Sequence, residues 1–115
     1  MKGISIPVFL LGLALVPAYA TAPNPASAAL ITQANDAAGK GDTALALRMA
    51  QAAIVADPAS TAPYVALGDI HARQGQADYA RAYYEAALQI DPQDASALRA
   101  IAALSTPAQA ASNTP

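Results

Sequence analysis

Apolar residues recur at intervals of three and four along residues 27–104, the spacing that places side chains on one face of an α-helix. Glycine, proline and aspartate break this pattern at short intervals, as residues that cap and stop helices do. The first helix is expected to begin at Pro25 or Ser27. The second is expected to be capped by Asp42 or Thr43. The pattern therefore predicts five helices, which end near Ala38, Ala56, Gln74, Ile90 and Leu104.

Local signals also place the caps of the later helices. Thr61 precedes a helix that starts at Ala62, and its hydroxyl is the type of group that caps a helix. Gly75 follows that helix, where a left-handed glycine commonly ends one. Asp94 is expected to cap the fifth helix, which begins at Ala95.

The composition indicates what kind of core these helices can build. The chain is 55% hydrophobic but only 5% aromatic and 12% charged, and much of its apolar content is alanine. Alanine favours helix more than any other residue but buries little area. We therefore expect an all-α fold in which helices approach closely around a thin core.

The chain also repeats itself. Two Asp-Pro pairs, at residues 57–58 and 91–92, are separated by 34 positions. The same shift aligns residues that suit turns and close helix contacts. The aligned pairs are Gly41 with Gly75, Ala46 with Ala80, Ala53 with Ala87, and Ile54 with Leu88. These matches predict an internal repeat of 34 residues.

The second repeat unit, residues 61–94, has a recognisable motif. Its residues are Tyr64, Leu67, Gly68, His71, Ala80, Tyr84, Ala87 and Pro92. This unit resembles a tetratricopeptide repeat, with His71 at a position where the family usually has tyrosine. Residues 27–60 resemble a degenerate repeat and residues 95–104 a capping helix. The resemblance implies an all-α, short right-handed α-α superhelix of about two helix-turn-helix units plus a C-terminal capping helix.

The two ends of the chain differ from the repeats. Residues 1–20 contain a basic start, an apolar run over 4–16 and a small-residue ending at Ala20, the layout of a cleavable signal peptide. An uncleaved anchor is the alternative, but the run is shorter than the roughly 20 residues that span a bilayer. Residues 21–26 are expected to form an extended leader and residues 105–115 a disordered tail. These features predict a periplasmic or secreted protein.

Charge and residue types favour few kinds of chemistry. The formal net charge is −2 and no basic run is present, so nucleic acid is not an expected partner. Cysteine is absent, and His71 is the only histidine. We interpret His71 as a half-buried structural residue rather than a base or metal ligand, because no second ligand accompanies it. The sequence thus predicts no enzyme activity, no cofactor and no metal site.

The resemblance implies that a concave groove binds a protein partner. The matching positions are Ile31, Asn35, Val65, Asp69, Arg73 and Arg99. Only Asn35 matches the residues with which some family members clamp a chaperone's C-terminal carboxylate, and Asp69 would repel that group. Asp69 and Arg73 lie one turn apart, so they either pair with each other or face the ligand. Tyr79 and Tyr83 form either part of an interaction surface or isolated exposed aromatics.

Two functions follow as hypotheses. The first is a non-enzymatic adaptor or assembly scaffold of the bacterial cell envelope. The second is a structural subunit of a homo-oligomer or of a larger envelope complex. Residues 95–104 either contact a partner or a second copy of the chain, as a homo-oligomer would require, or form a surface that is merely alanine-rich. In this helix Leu98, Ile101 and Ala102 would cover the preceding repeat. The surface left for a partner or a second copy would be formed by Ala97, Ala100, Ala103 and Leu104.

Overall fold

The computed structural model describes residues 24–105, and that part of the chain consists of helices and short connections without strands. The predicted signal peptide (1–20), the leader up to residue 23 and the tail from residue 106 lie outside the described residues. Within the described part, none of the helices has the length and apolar character needed to span a bilayer. The helices are α1 (Pro25–Gly39), α2 (Thr43–Ala56), α3 (Ala62–Arg73), α4 (Ala77–Ile90) and α5 (Ala95–Leu104).

Helix α1 begins earlier than the end of the predicted leader. Pro25 and Ala26 are helical rather than extended. Proline suits the first helical position because its fixed φ matches the helix and its missing N–H is not needed there. The side chain of Asn24 caps the helix by accepting a hydrogen bond from Ala26 N at 2.9 Å. Asn24 Nδ2 also donates to the carbonyl of Ala56 at 2.9 Å, which ties this start to the end of α2.

The connections follow the glycine and aspartate signals. Gly41 and Gly75 have φ of +82° and +75°, the left-handed conformation that glycine adopts without steric cost. Asp42 caps α2 by accepting a hydrogen bond from Leu45 N at 3.1 Å. Thr61 immediately precedes α3 as predicted, but its side chain does not cap that helix. Its hydroxyl donates to the carboxylate of Asp94 instead.

The helices pack in sequence order. Helix α1 packs on α2, α3 on α4, and α5 on α4, while α3 also contacts α2. Helices α1 and α5 each contact α3 as well, so the odd-numbered helices lie side by side. The core consists mainly of alanines, as the composition predicts. Those with no exposed surface are Ala34, Ala46, Ala50, Ala53, Ala80, Ala87 and Ala97.

Helix α3 lies close to the Tyr84 ring of α4 at Gly68. A Cβ atom built on Gly68 would lie 2.6 Å from Cδ1 of Tyr84, so only glycine leaves room for the ring. Tyr84 is 3% exposed, and its hydroxyl donates to Oδ1 of Asp69 at 2.6 Å. Leu67 beside it is 1% exposed. The repeat motif therefore places its smallest residue where its largest buried ring must fit.

The prediction of which residues of α5 cover the preceding repeat is confirmed for Ile101 and wrong for Leu98 and Ala102. Ala97 is completely buried, whereas Leu98 is 48% exposed and Ala102 is exposed. Ala97, which was expected on the surface, forms a buried cluster with Ala80, Tyr84 and Ala87 of α4, and two more of the residues expected there pack against this cluster. These are Ala100 and Leu104, and Ile101 packs beside them.

The repeat explains which face α5 uses. Helix α5 is apolar nearly all around, so its own pattern allows more than one buried face. A shift of 34 residues places Ile101 in the position of Leu67 and Leu104 in that of Ile70. Both equivalents in α3 are buried. Helix α5 therefore packs on α4 with the face that α3 turns towards α2.

Candidate functional site

A groove of about 220 Å³ lies between α1, α3 and the start of α5. Its walls come from three helices that are distant in sequence but adjacent in the array, because the odd-numbered helices lie side by side. The lining residues are Ile31, Asn35, Thr61, Ala62, Val65, Ala66, Asp69, Asp94 and Ser96.

Four of the six residues proposed from the sequence line this groove. They are Ile31 and Asn35 on α1 and Val65 and Asp69 on α3. Ile31 and Val65 are half-buried and form an apolar wall, whereas Asn35 and Asp69 are exposed.

The two arginines proposed from the sequence do not line the groove. Arg73 is exposed at the last position of α3, beyond the groove. No ion pair joins it to Asp69 in the described part of the chain, so the pairing alternative is not observed. Arg99 is exposed on α5 and reaches the groove only electrostatically, through its positive charge near Asp94.

Sequence reasoning missed the contribution of the connection before α5. Asp94 was interpreted only as a helix cap, and it does accept a hydrogen bond from Ala97 N at 2.9 Å. Its other oxygen accepts the hydroxyl hydrogen of Thr61, which joins the start of α3 to the start of α5. The repeat could have predicted this contact, because the residues that precede α3 and α5 lie at the same end of adjacent helices.

The family model for the tetratricopeptide repeat matches residues 62–94, which span α3, α4 and the Asp-Pro turn that follows. The chain contains a tetratricopeptide repeat. No curated protein gives a significant match to the chain. Tetratricopeptide repeats are protein-interaction modules in general, and such helical arrays bind partners on their concave surfaces.

Two carboxylates, Asp69 and Asp94, make the groove acidic. The pKa of Asp94 is lowered, first by the hydrogen bond from Thr61 and then by the N–H groups of Ala97 and Ser96, while partial burial opposes the shift. Burial raises the pKa of Tyr84, and the hydrogen bond to Asp69 raises it further. The Tyr84 hydroxyl therefore stays protonated and donates to the Asp69 carboxylate.

An aromatic cluster lies outside the groove, where α3 meets α4. The ring of His71 stacks on Tyr79 and Tyr83, with centroids 5.4 Å and 5.2 Å apart. His71 Nδ1 lies 2.7 Å from Oε1 of Gln76, within hydrogen-bond distance. Tyr79 is 62% exposed, whereas Tyr83 packs partly against the core. This arrangement supports a structural role for His71, which joins two helices of the repeat.

Proposed function

We propose that this protein is a non-enzymatic adaptor of the bacterial cell envelope that binds a peptide or a helix of a partner protein in the tetratricopeptide groove. The observation that carries the proposal is the convergence of α1, α3 and the start of α5 on one groove. Ile31 and Val65 supply apolar contact there, and Asn35 and Asp69 supply exposed polar groups. An apolar wall beside a few polar groups is the usual composition of a binding surface.

The size of the groove favours a peptide segment over a small molecule. Its volume of about 220 Å³ is below the range of about 300 Å³ and more in which drug-sized ligands are enclosed. Such a groove accommodates side chains of a segment whose backbone remains at the surface. The segment would lie across α1 and α3, which is how extended arrays of this kind engage partners.

The polar groups of the groove favour binding over catalysis. Asp94 is held as a cap by Thr61 and Ala97, and Asp69 accepts the hydroxyl of Tyr84. His71 lies outside the groove lining. The Thr61 hydroxyl does contact the Asp94 carboxylate, but both Asp94 oxygens already accept hydrogen bonds that cap α5 or join it to α3, and no histidine is among the described lining residues to complete a catalytic group.

The envelope location rests on the signal peptide predicted over residues 1–20. The chain has no cysteine, so disulfides do not contribute to its stability. A partner that binds the groove of these alanine-rich helices would increase the free energy of unfolding, because it binds only the folded chain.

Photo-crosslinking in the cell tests the binding function. A photoreactive phenylalanine analogue replaces Ala62, which is exposed and lines the groove. The matched control carries the same analogue at Ala82, which is exposed on α4 and does not line the groove. We expect a discrete product containing a different protein from position 62 and not from position 82.

The mass of the product separates the hypotheses. A product of twice the mass of the chain would favour the homo-oligomeric subunit over the adaptor. Equal products from both positions would contradict a specific role for the groove.

A further inference from the structure

The charge of the groove defines the chemistry of its occupant more closely. Two carboxylates line it, Asp69 from α3 and Asp94 from the connection before α5. None of the described residues that line it is lysine or arginine. On the basis of the proposed function, we infer that the bound segment carries a lysine or arginine side chain beside an apolar residue, with the cation held at Asp69.

Asp69 is available to a ligand. It is exposed, and its hydrogen bond from Tyr84 occupies Oδ1 at 2.6 Å. Oδ2 has no hydrogen-bond partner in the part of the chain that the structure describes, and Arg73 does not pair with it there. A carboxylate with one oxygen held by a hydrogen bond and the other open is already oriented before the ligand binds. Binding therefore loses less conformational entropy of the Asp69 side chain.

Asp94 contributes charge rather than a free oxygen. Both of its oxygens accept hydrogen bonds, Oδ1 from Ala97 N and Oδ2 from Thr61. These donors keep the carboxylate ionised, as its lowered pKa indicates. Arg99 offsets part of this charge from outside the groove. Asp94 therefore strengthens the negative potential in which a cation at Asp69 would lie.

The apolar wall completes the recognition. Ile31 and Val65 are half-buried and line the groove beside Asp69. Lysine and arginine have apolar stems that pack on such surfaces while the charged end reaches a carboxylate. An acidic segment would place like charges together without a cation to separate them, which disfavours binding. The groove thus selects for basic segments and against acidic ones.

Matched peptides test this selectivity directly. The full-length gene is expressed, and the protein is purified with whatever processing the cell has carried out. This protein is titrated into labelled peptides of equal length. The peptides share leucine and valine residues and differ only in carrying lysine, glutamine or glutamate at the same positions. Fluorescence anisotropy should show the lysine peptide binding about two- to fivefold more tightly than the glutamine peptide, as for exposed ion pairs. The glutamate peptide should bind least, and added salt should reduce the differences.

Charge-neutral variants locate the effect. Asp69→Asn retains an oxygen that can accept the Tyr84 hydroxyl but removes the charge. The control is Asp36→Asn, which removes one charge from an exposed position of α1 outside the groove lining. We expect Asp69→Asn to abolish the preference for lysine over glutamine and Asp36→Asn to preserve it. Circular dichroism of both variants checks that their helices remain.

The outcomes distinguish this inference from the function on which it depends. If all three peptides bind equally, and crosslinking at position 62 still captures a partner, the groove binds proteins but the charge inference is wrong. If Asp36→Asn abolishes the preference as fully as Asp69→Asn, the effect belongs to net charge and the inference is also wrong. If no peptide binds and crosslinking fails, the proposed function itself is overturned.

Discussion

Replacing Gly68 with alanine should destabilise the repeat, although alanine is the better helix former. In an open helix the exchange would stabilise by about 1 kcal/mol. Here the added methyl group would lie 2.6 Å from Cδ1 of Tyr84. Carbon atoms in contact lie about 3.5–4.0 Å apart, so the ring would have to move by roughly 1 Å.

The surroundings of Tyr84 make that movement costly. Its side chain is 3% exposed and packs with Ala80 and Ala87, and its hydroxyl is fixed to Asp69 at 2.6 Å. Overfilling a packed core costs about 1–3 kcal/mol. A weakened hydrogen bond adds about 1 kcal/mol. After subtraction of the helix gain, we expect Gly68→Ala to lower the free energy of unfolding by about 1–3 kcal/mol.

Thermal unfolding followed by far-ultraviolet circular dichroism measures this change. For a domain of this size, about 1 kcal/mol lowers Tm by roughly 4–8 °C. Gly39→Ala is the matched control, because Gly39 is the last residue of α1 and a Cβ there meets nothing within 4 Å. It should raise Tm or leave it unchanged. A Gly68→Ala variant that melts at or above the wild-type temperature would refute the packing argument.

Further predictions concern the charged groups and the chain's start. The pKa of Asp94 is lower in the folded chain than in the unfolded chain, so its ionised form stabilises the fold. This stabilisation is complete above about pH 4, where the unfolded carboxyl is also ionised, and it is lost as pH falls through the folded-state pKa. In urea titrations the stability difference between wild type and Asp94→Asn should therefore shrink in acid, and a pH-independent difference would contradict this assignment. The raised pKa of Tyr84 means that its stabilisation is present below about pH 10 and lost above it. Tyr84→Phe should cost about 1 kcal/mol at neutral pH, and progressively less in alkali, and parallel curves would exclude the Asp69 bond as the cause. N-terminal sequencing of exported protein should begin at Thr21, and a membrane-bound chain beginning at Met1 would indicate an anchor instead.

The helices were predictable because their ends depend on local chemistry. The effects of Gly41 and Gly75 on backbone conformation, and of Asp42 as a cap, involve only neighbouring residues in the chain. The identity of these residues alone therefore predicts a turn. The hydrogen bond of the Thr61 side chain was not predictable from local sequence, which wrongly indicated a cap. Its hydroxyl can form a hydrogen bond either with the local backbone or with the carboxylate of Asp94, which is distant in sequence. Only the folded array brings that carboxylate within hydrogen-bond distance.

The face of α5 could have been predicted, but by a different argument. Helical periodicity gives little information when almost every residue is apolar, because neighbouring faces of α5 are then similarly apolar. The repeat carries the missing information, since equivalent positions in α3 already show which side turns towards the preceding helix. Internal repetition was therefore the better guide wherever composition was uniform.

The groove was predicted in part for a related reason. Residues in the middle of α1 and α3, such as Ile31 and Val65, have positions fixed by helical geometry. Arg73 and Arg99 have long side chains near a helix end or on a short helix, where the position of the Cα does not determine where the charge lies. Asp94 was overlooked because its capping role already explained it.

A map of the surface that a bound segment contacts tests directly whether the groove is the binding site. Amide-proton NMR spectra of the isotope-labelled protein would be recorded while the lysine-containing peptide is added. We expect shifts concentrated at Ile31, Val65 and Asp69 on the groove, with no shift at Val55, which is 82% exposed on α2. Shifts concentrated at Tyr79 and the aromatic cluster, or spread evenly over the surface, would contradict it.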